Sequence, residues 1–296
     1  MLKLAAIDIG SNAIRIQLTR VTLYEGNITF KRLEYVRFPL RLGQDVFTTG
    51  RISDPSKAKF IKLMQAFKIL IDLYEVDDYM GCATSAMREA ENGKEIIDQV
   101  KDEFNLDIEI IDGDKEADMI NKAIFPYMDD KAYLHIDVGG GSTEFNFYQN
   151  NEKLLSKSFR IGSVRHLETD SSHHMWDDMK NWIMQKVIKK SLKIHAIGTG
   201  GNINKVQDLA RKKAGKPISL NKVKEIQAYI KSFTMSERIN KLQLNPDRAD
   251  VIIPALDIYI NAMAWSKSPS IIVPDSGLKD GIMQVLYERN KDKLES

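Results

Sequence analysis

Apolar and polar residues alternate with period two over residues 7–18, IDIGSNAIRIQL, and again over 136–147, IDVGGGSTEFNF. Each stretch is broken by a small cluster of Gly, Ser, Asn or Thr. That pattern predicts strand, tight turn, strand. Ile7-Asp8-Ile9-Gly10 aligns with Ile136-Asp137-Val138-Gly139, and Ile14, Ile16 and Leu18 keep step with Thr143, Phe145 and Phe147. One copy opens the chain and the other lies near its middle, so the repeat predicts two similarly built domains. Further strand-like runs fall near 28–38, 79–83, 107–111, 132–137, 153–161, 194–198 and 270–273. Between them the spacing turns helical, at 55–75, 93–104, 114–125, 173–190, 201–213, 219–232, 235–243, 248–266 and 276–291. Asp54 is the expected cap of the first of these helices, with Pro55 at its first position. Its stripe Phe60, Leu63, Met64, Phe67, Leu70 and Ile71 is expected to be core. Interspersed strands and helices predict an α/β fold. The expected domains are 1–125 and 126–275, divided near Phe125-Pro126, with a helix at about 276–296 packing back on the first.

Composition narrows the function. Lys and Arg total 43 against 41 Asp and Glu over 296 residues, a formal charge of +2. That balance excludes a globally basic binder of nucleic acid polymers but leaves room for a local anion site. The single Cys82 excludes a disulfide framework or a multi-cysteine metal site within the chain, and its apolar neighbours predict a buried small hydrophobe. Asp8 interrupts the short apolar N-terminus before a signal-peptide core forms. No run approaches the roughly 18 apolar residues of a membrane span. A cytoplasmic protein that does not engage membranes is expected, and a homodimer stays open.

The two turns carry chemistry. A carboxylate at a strand end, followed by small residues, brings backbone N–H groups close to whatever occupies the turn. Gly10, Ser11 and Asn12 allow that approach, and Gly139, Gly140 and Gly141 allow it more freely. Successive N–H groups form an anion nest suited to phosphate, with Ser11, Ser142 and Thr143 as hydroxyl donors. Asp8 and Asp137 would repel phosphate directly. They fit if Mg²⁺ lies between, bridging carboxylate and phosphate oxygens.

Other segments are weaker. Gly200 and Gly201 lie in a glycine-rich strand-to-helix turn, GTGGNI, where helix N–H groups can meet an anion; the spacing is not that of the dinucleotide fingerprint. Thr84, Ser85 and Arg88 are donors suited to phosphate, although a helical Arg is commonly just solvated. Asp112, Asp114 and Glu116 suit a first helical turn by the helix dipole alone, yet a carboxylate at Glu116 can also serve as general base toward water. His173-His174 has no ligand spacing and reads as surface.

In order and combination, AAIDIGSNAIRI (5–16), RLG (41–43), ATSAMREAENG (83–93), IEIIDGDKEADMI (108–120), IDVGGGSTEF (136–145), FRIGSVR (159–165), GTGGNI (198–203), RADVIIPA (248–255) and GLKDGI (277–282) resemble one family. It is the exopolyphosphatase/guanosine pentaphosphate phosphatase (Ppx/GppA) family, within the actin–hexokinase–Hsp70-like fold. The resemblance implies two duplicated actin-like (ribonuclease H-like) ATPase-type domains with an interdomain active cleft. It implies Mg²⁺-dependent release of terminal phosphate from inorganic polyphosphate or guanosine pentaphosphate.

Residue by residue, the resemblance makes Glu116 the catalytic glutamate, Asp137 and Glu144 the acidic pair at the metal, Asp8 the first phosphate-loop aspartate, and Arg88 a phosphate contact. Arg41, Arg165 and Lys279 are candidate helpers. Where the family often has Glu-Glu-Ala-Arg, this chain has Lys115-Glu116-Ala117-Asp118. The length resembles the short, two-domain form. A non-hydrolytic regulator binding guanosine polyphosphates, and an actin-like ATPase or sugar kinase, remain alternatives at this stage.

Overall fold

The computed structural model describes residues 1–165, 170–191, 193–274 and 276–295. The chain divides into two units, 1–123 with 277–296, and 124–276. In the first, strands β1 (Leu2–Ile9), β2 (Ile14–Tyr24), β3 (Asn27–Phe38), β4 (Asp78–Ala83) and β5 (Ile108–Ile110) form a sheet of order β3-β2-β1-β4-β5. The β3–β2 and β2–β1 pairs are antiparallel, whereas β4 and β5 continue parallel to β1. The helices are α1 (Leu42–Thr49), α2 (Asp54–Leu73), α3 (Ser85–Glu89), α4 (Gly93–Phe104) and α5 (Gly113–Ile124). β1 is central and buried along nearly its whole length, as its continuous apolar run requires. α2 buries Phe60, Met64, Phe67 and Ile71 in the core with Ile7, Ile14 and Ile16 of the sheet. This is one stripe at helical spacing.

The second unit holds β6 (Ala132–Val138), β7 (Thr143–Gln149), β8 (Glu152–Phe159), β9 (Ile194–Thr199), β10 (Ile218–Ser219) and β11 (Ser270–Ile272). Its helices are α6 (Asp170–Trp182), α7 (Gly201–Leu209), α8 (Leu220–Lys231), α9 (Met235–Asn240), α10 (Pro246–Ala249) and α11 (Ile252–Trp265). The sheet order is β10-β11-β9-β6-β7-β8. Read from β8, it repeats the first sheet strand for strand, including the switch from antiparallel to parallel, with β10 as an added edge. The echo at 7–18 and 136–147 is thus a duplicated β1-β2 and β6-β7 hairpin. The chain returns to the first unit as α12 (Leu278–Asn290) and α13 (Asp292–Glu295). Arg289 of α12 forks onto Asp78 of β4 at 2.8 and 2.7 Å.

The helix expected over 248–266 is split into α10 and α11, and other details also differ from expectation. The cap of α2 is Ser53, not Asp54; its hydroxyl accepts from the Ser56 N–H, which moves Pro55 one place into the helix. Helix α1 lies where the spacing predicts none. It is short, and it starts after Arg41 in the left-handed region (φ 58°) without a side-chain cap. Cys82 is fully buried. His174 is exposed, and the side chain of His173 lies outside the described residues.

Candidate active site

In each unit the candidate residues gather at the carboxyl ends of the parallel strands, where α/β sheets ordinarily bind ligands. In the first unit the β1–β2 turn closes by Gly10 N–H donating to Ala13 O at 3.2 Å. Behind it, Arg41 N–H donates to Asn12 O at 3.0 Å and Gly43 N–H to Ser11 O at 2.8 Å. A Cβ on Gly43 would lie 2.9 Å from the Ser11 Cβ, so only glycine allows this approach. The start of α3 is tied to the same turn. The Ser11 and Ser85 hydroxyls are 2.8 Å apart in the interior, and Thr84 N–H donates to Ile9 O at 3.0 Å. Arg88 is half-buried and donates from Nη1 to Ile111 O at 2.6 Å, one residue before the cap of α5. Asp112 is that cap, accepting from Lys115 N–H at 2.8 Å through its side chain and from Glu116 N–H at 3.1 Å through its carbonyl. Glu116 is therefore in the first turn of α5, half-buried. The Gly10–Asn12 turn, the start of α3 and the start of α5 thus follow the carboxyl ends of the adjacent parallel strands β1, β4 and β5.

The second unit repeats the construction. Gly139 N–H donates to Ser142 O at 3.0 Å, closing the turn as Gly10 does. Ser163 N–H donates to Gly139 O at 2.9 Å, Val164 and Arg165 N–H donate to Gly140 O at 2.8 and 3.0 Å, and Arg165 Nε donates to Gly141 O at 2.7 Å. A Cβ on Gly162 would fall 2.6 Å from Gly140 C and O. Arg160-Ile161-Gly162 is thus the counterpart of Arg41-Leu42-Gly43, a second internal echo. The sequence carries it as the short motifs RLG (41–43) and RIG (160–162). In both units the loop carbonyls are occupied by the chain behind. Thr143 spends its hydroxyl proton on Ile161 O at 2.6 Å, so it braces the turn and is not the side-chain donor to phosphate that was expected.

Gly200, at φ 114°, lies against this turn. A Cβ there would meet Val138 O at 3.0 Å, Tyr259 Oη at 3.1 Å and Asp137 Oδ1 at 3.5 Å. At Gly201 a Cβ would be 3.0 Å from Arg248 Nη2, which adds Arg248 to the site. Tyr259, fully buried, donates its hydroxyl to Thr199 O. Burial, followed by the charge of Asp137, raises the Tyr259 phenol well above its ordinary value and keeps it a donor. Nothing in local spacing singled out Tyr259, whose helix reads as core.

The acids differ between the units. Asp8 stands directly opposite Arg15 on β2, and Arg15 Nη1 donates to its Oδ2 at 2.9 Å. The equivalent of Arg15 in the second unit is Glu144, directly opposite Asp137. Acids facing each other on one sheet face are unfavourable without a cation. Mg²⁺ binds through one or two carboxylates, completing its shell with water and phosphate oxygens, so the Asp137/Glu144 pair fits it. Ser158 donates to Glu144 Oε1 at 2.9 Å and orients that carboxylate. Among the described residues no three His, Cys, Asp or Glu side chains cluster as a ligand set. Among them, too, no helix is long and apolar enough to cross a membrane.

Comparison with known proteins gives the wider context. The chain is 29% identical over 317 aligned residues to the bifunctional 3-dehydroquinate synthase/phosphatase of Fusobacterium nucleatum, covering 98% of this chain. It spans about half (47%) of that relative's length. It is 20% identical to exopolyphosphatase 1 of Mycobacterium bovis, covering 95% of this chain and 87% of the relative. The crystal structure of an exopolyphosphatase from Cytophaga hutchinsonii superposes with a TM-score of 0.83 at 23% identity, over 97% of this chain and 98% of that one. The fold is therefore that of Ppx/GppA proteins. Residues 24–289 match the Ppx/GppA phosphatase family, and the chain belongs to that family.

Proposed function

We propose that the protein is an exopolyphosphatase, hydrolysing the terminal phosphoanhydride bond of inorganic polyphosphate with release of orthophosphate. The observation that supports this reading is that the Gly10–Asn12 turn, the helix of Arg88 and the helix of Glu116 follow the ends of three adjacent parallel strands, β1, β4 and β5, with Arg88 donating to Ile111 O just ahead of the Glu116 helix. Family membership and the relative named exopolyphosphatase support it.

Phosphoryl transfer to water needs charge neutralisation, in-line positioning and an oriented nucleophile. Backbone N–H groups of Ser11 and Asn12, and of Gly140–Ser142, hold phosphate oxygens, while those of Gly10 and Gly139 close the turns; Arg88 adds a cation. Glu116 accepts a hydrogen bond from the attacking water and takes its proton as the new P–O bond forms and the bridging P–O bond breaks. The shortened chain leaves as a phosphate anion. Asp137 and Glu144 would hold Mg²⁺, which neutralises charge on the phosphate oxygens. Asp8, expected from sequence to share the metal, is instead assigned to Arg15, whose orientation it sets.

Glu116→Gln keeps the shape and removes the base. Phosphate release from long-chain polyphosphate under Mg²⁺ should fall by roughly 10²- to 10⁴-fold; an unchanged rate removes Glu116 from the mechanism. Parallel assays on tripolyphosphate and guanosine pentaphosphate set the substrate. A higher kcat/KM for guanosine pentaphosphate would overturn the exopolyphosphatase reading in favour of its nucleotide counterpart. Binding without phosphate release from any of the three would favour the regulator.

A further inference from the structure

One layer below the Asp137–Glu144 pair, the interior of the second sheet is polar where its neighbours are apolar. Leu134, Ile136, Phe145 and Phe147 are fully buried, and so are His135 and Asn146. His135 and Asn146 stand directly opposite each other on β6 and β7, and Asn146 faces Ser156 on β8. Ser156 Oγ donates to Asn146 Oδ1 at 2.7 Å, leaving the amide nitrogen 3.3 Å from His135 Nδ1. His135 Nδ1 is then the acceptor and Nε2 carries the proton. Nε2 lies 2.8 Å from Thr199 Oγ1. The chain Ser156–Asn146–His135–Thr199 crosses four strands and is satisfied link by link. A buried polar chain of this kind is retained at a cost that apolar residues would avoid, so it calls for a purpose.

Its end point supplies one. Thr199 is the last residue of β9 and precedes Gly200. It stands directly opposite Asp137 in the parallel register, and its carbonyl accepts from Tyr259. Thr199 is thus clamped twice, by His135 on its side chain and by Tyr259 on its backbone. The Gly200 α-carbon packs so near Asp137 that an added Cβ would be 3.5 Å from Oδ1. Where Thr199 sits therefore sets the spacing between the Asp137 carboxylate and the Gly200–Gly201 turn.

We propose that His135 is a positioning residue: through the Thr199 hydroxyl it fixes the end of β9, and with it the placement of the Gly200–Gly201 turn against Asp137. In its consequence for catalysis this rests on the hydrolase reading above. His135 itself touches no substrate. Its role parallels that of outer groups that orient first ligands, whose loss lowers activity without abolishing binding.

Thr199→Val removes the hydroxyl at constant shape, Thr199→Ser keeps it, and His135→Leu removes the imidazole. On polyphosphate under saturating Mg²⁺, Thr199→Val and His135→Leu should lower kcat by roughly 10- to 100-fold with KM unchanged. Thr199→Ser should recover most of the loss. The double variant His135→Leu/Thr199→Val should be no worse than the poorer single variant. Multiplying effects, or a loss shared equally by Thr199→Ser, would overturn the proposal. If His135→Leu fails to fold, the contrast between Val and Ser at position 199 decides.

Nitrogen-15 NMR of the histidine rings gives a readout independent of turnover. His135 should show the Nε2-protonated tautomer. Thr199→Val should move its Nε2 resonance together with the backbone amides of Asp137 and Gly200; unmoved amides would refute the linkage. If wild type releases no phosphate from polyphosphate or guanosine pentaphosphate, the hydrolase reading fails, and these resonances still decide the positioning claim.

Discussion

Gly200 is constrained twice. Its backbone, at φ 114° and ψ 153°, lies where side chains cause strain, and an added Cβ would meet Val138 O at 3.0 Å. Gly200→Ala should therefore cost roughly 1–3 kcal/mol, read as a drop in the urea midpoint. Gly277 has no heavy atom within 4 Å of its Cβ position. Gly277 is the N-cap of α12, so Gly277→Ala should lose no more than the roughly 1 kcal/mol of a weakened cap; a loss at Gly277 equal to that at Gly200 would refute the steric argument. Cys82 makes a sharper residue-level test. Burial first, then the carboxylates of Glu109 and Asp8, push its thiol up to about 12. At pH 8 it should stay unreactive toward a thiol reagent such as dithionitrobenzoate until the protein unfolds, when one equivalent should react. Fast labelling of the native chain would contradict the burial. The apolar neighbours of Cys82 already indicated its interior place. Its carboxylate neighbours were not legible, because they come from β1 and β5, strands distant in sequence. Gly200 was legible as a turn residue, whereas its contact with Asp137 depended on how β6 and β9 align.

At the scale of elements, sequence was most informative where periodicity ran long. The 20-residue α2 follows from its apolar stripe. The 8-residue α1 does not, since two turns carry little period and its left-handed entry at Arg41 is tied to the Asn12 carbonyl of the β1–β2 turn. The cap of α2 shows how tertiary structure decides a local choice. Asp54 and Ser53 both satisfy capping rules. Ser53 prevails because it also donates to Asp45 Oδ2 at 2.6 Å, which locks α1 to the start of α2. Ser53→Ala should lower stability by about 1 kcal/mol, and adding Asp45→Asn should cost less than the sum of the single losses. Full additivity in a denaturant double-mutant cycle would mean that the two act separately. Burial alone would raise the Asp45 carboxyl, but hydrogen bonds from Ser53 and Ser56 outweigh it and hold it below the ordinary 3.8. A depressed folded value means this contribution is complete above 3.8 and is lost as pH falls through the folded value. The Ser53→Ala difference should therefore shrink under strong acid.

Across the whole molecule, duplication is the feature the chain announces most clearly, and it also shows what the halves no longer share. Both sheets share the same five-strand order, both glycine turns close on the same hydrogen bond, and both are braced by an Arg-apolar-Gly segment. Opposite the equivalent aspartates, however, one half places Arg15 and the other Glu144. Aligning the repeat on Asp8 and Asp137 invited the same metal role for both. The difference lies five residues beyond the shared Asp-x-Gly and becomes meaningful only once a hairpin puts that position across from the aspartate. The two aspartates should then respond differently to removal of charge. Glu144→Gln should raise the Mg²⁺ concentration needed for half-maximal phosphate release by roughly 10- to 100-fold, and Asp137→Asn should do likewise. Asp8→Asn should leave that midpoint in place. It should instead lower unfolding stability by roughly 1–3 kcal/mol, because it strips the largely buried Arg15 of its charged acceptor. Magnesium titrations and denaturant curves on the same three variants separate the outcomes. A midpoint that moves equally for Asp8→Asn and Glu144→Gln would return Asp8 to the metal. A midpoint that moves for neither Glu144→Gln nor Asp137→Asn would remove the metal from the second unit, leaving backbone N–H groups and arginines to neutralise the phosphate.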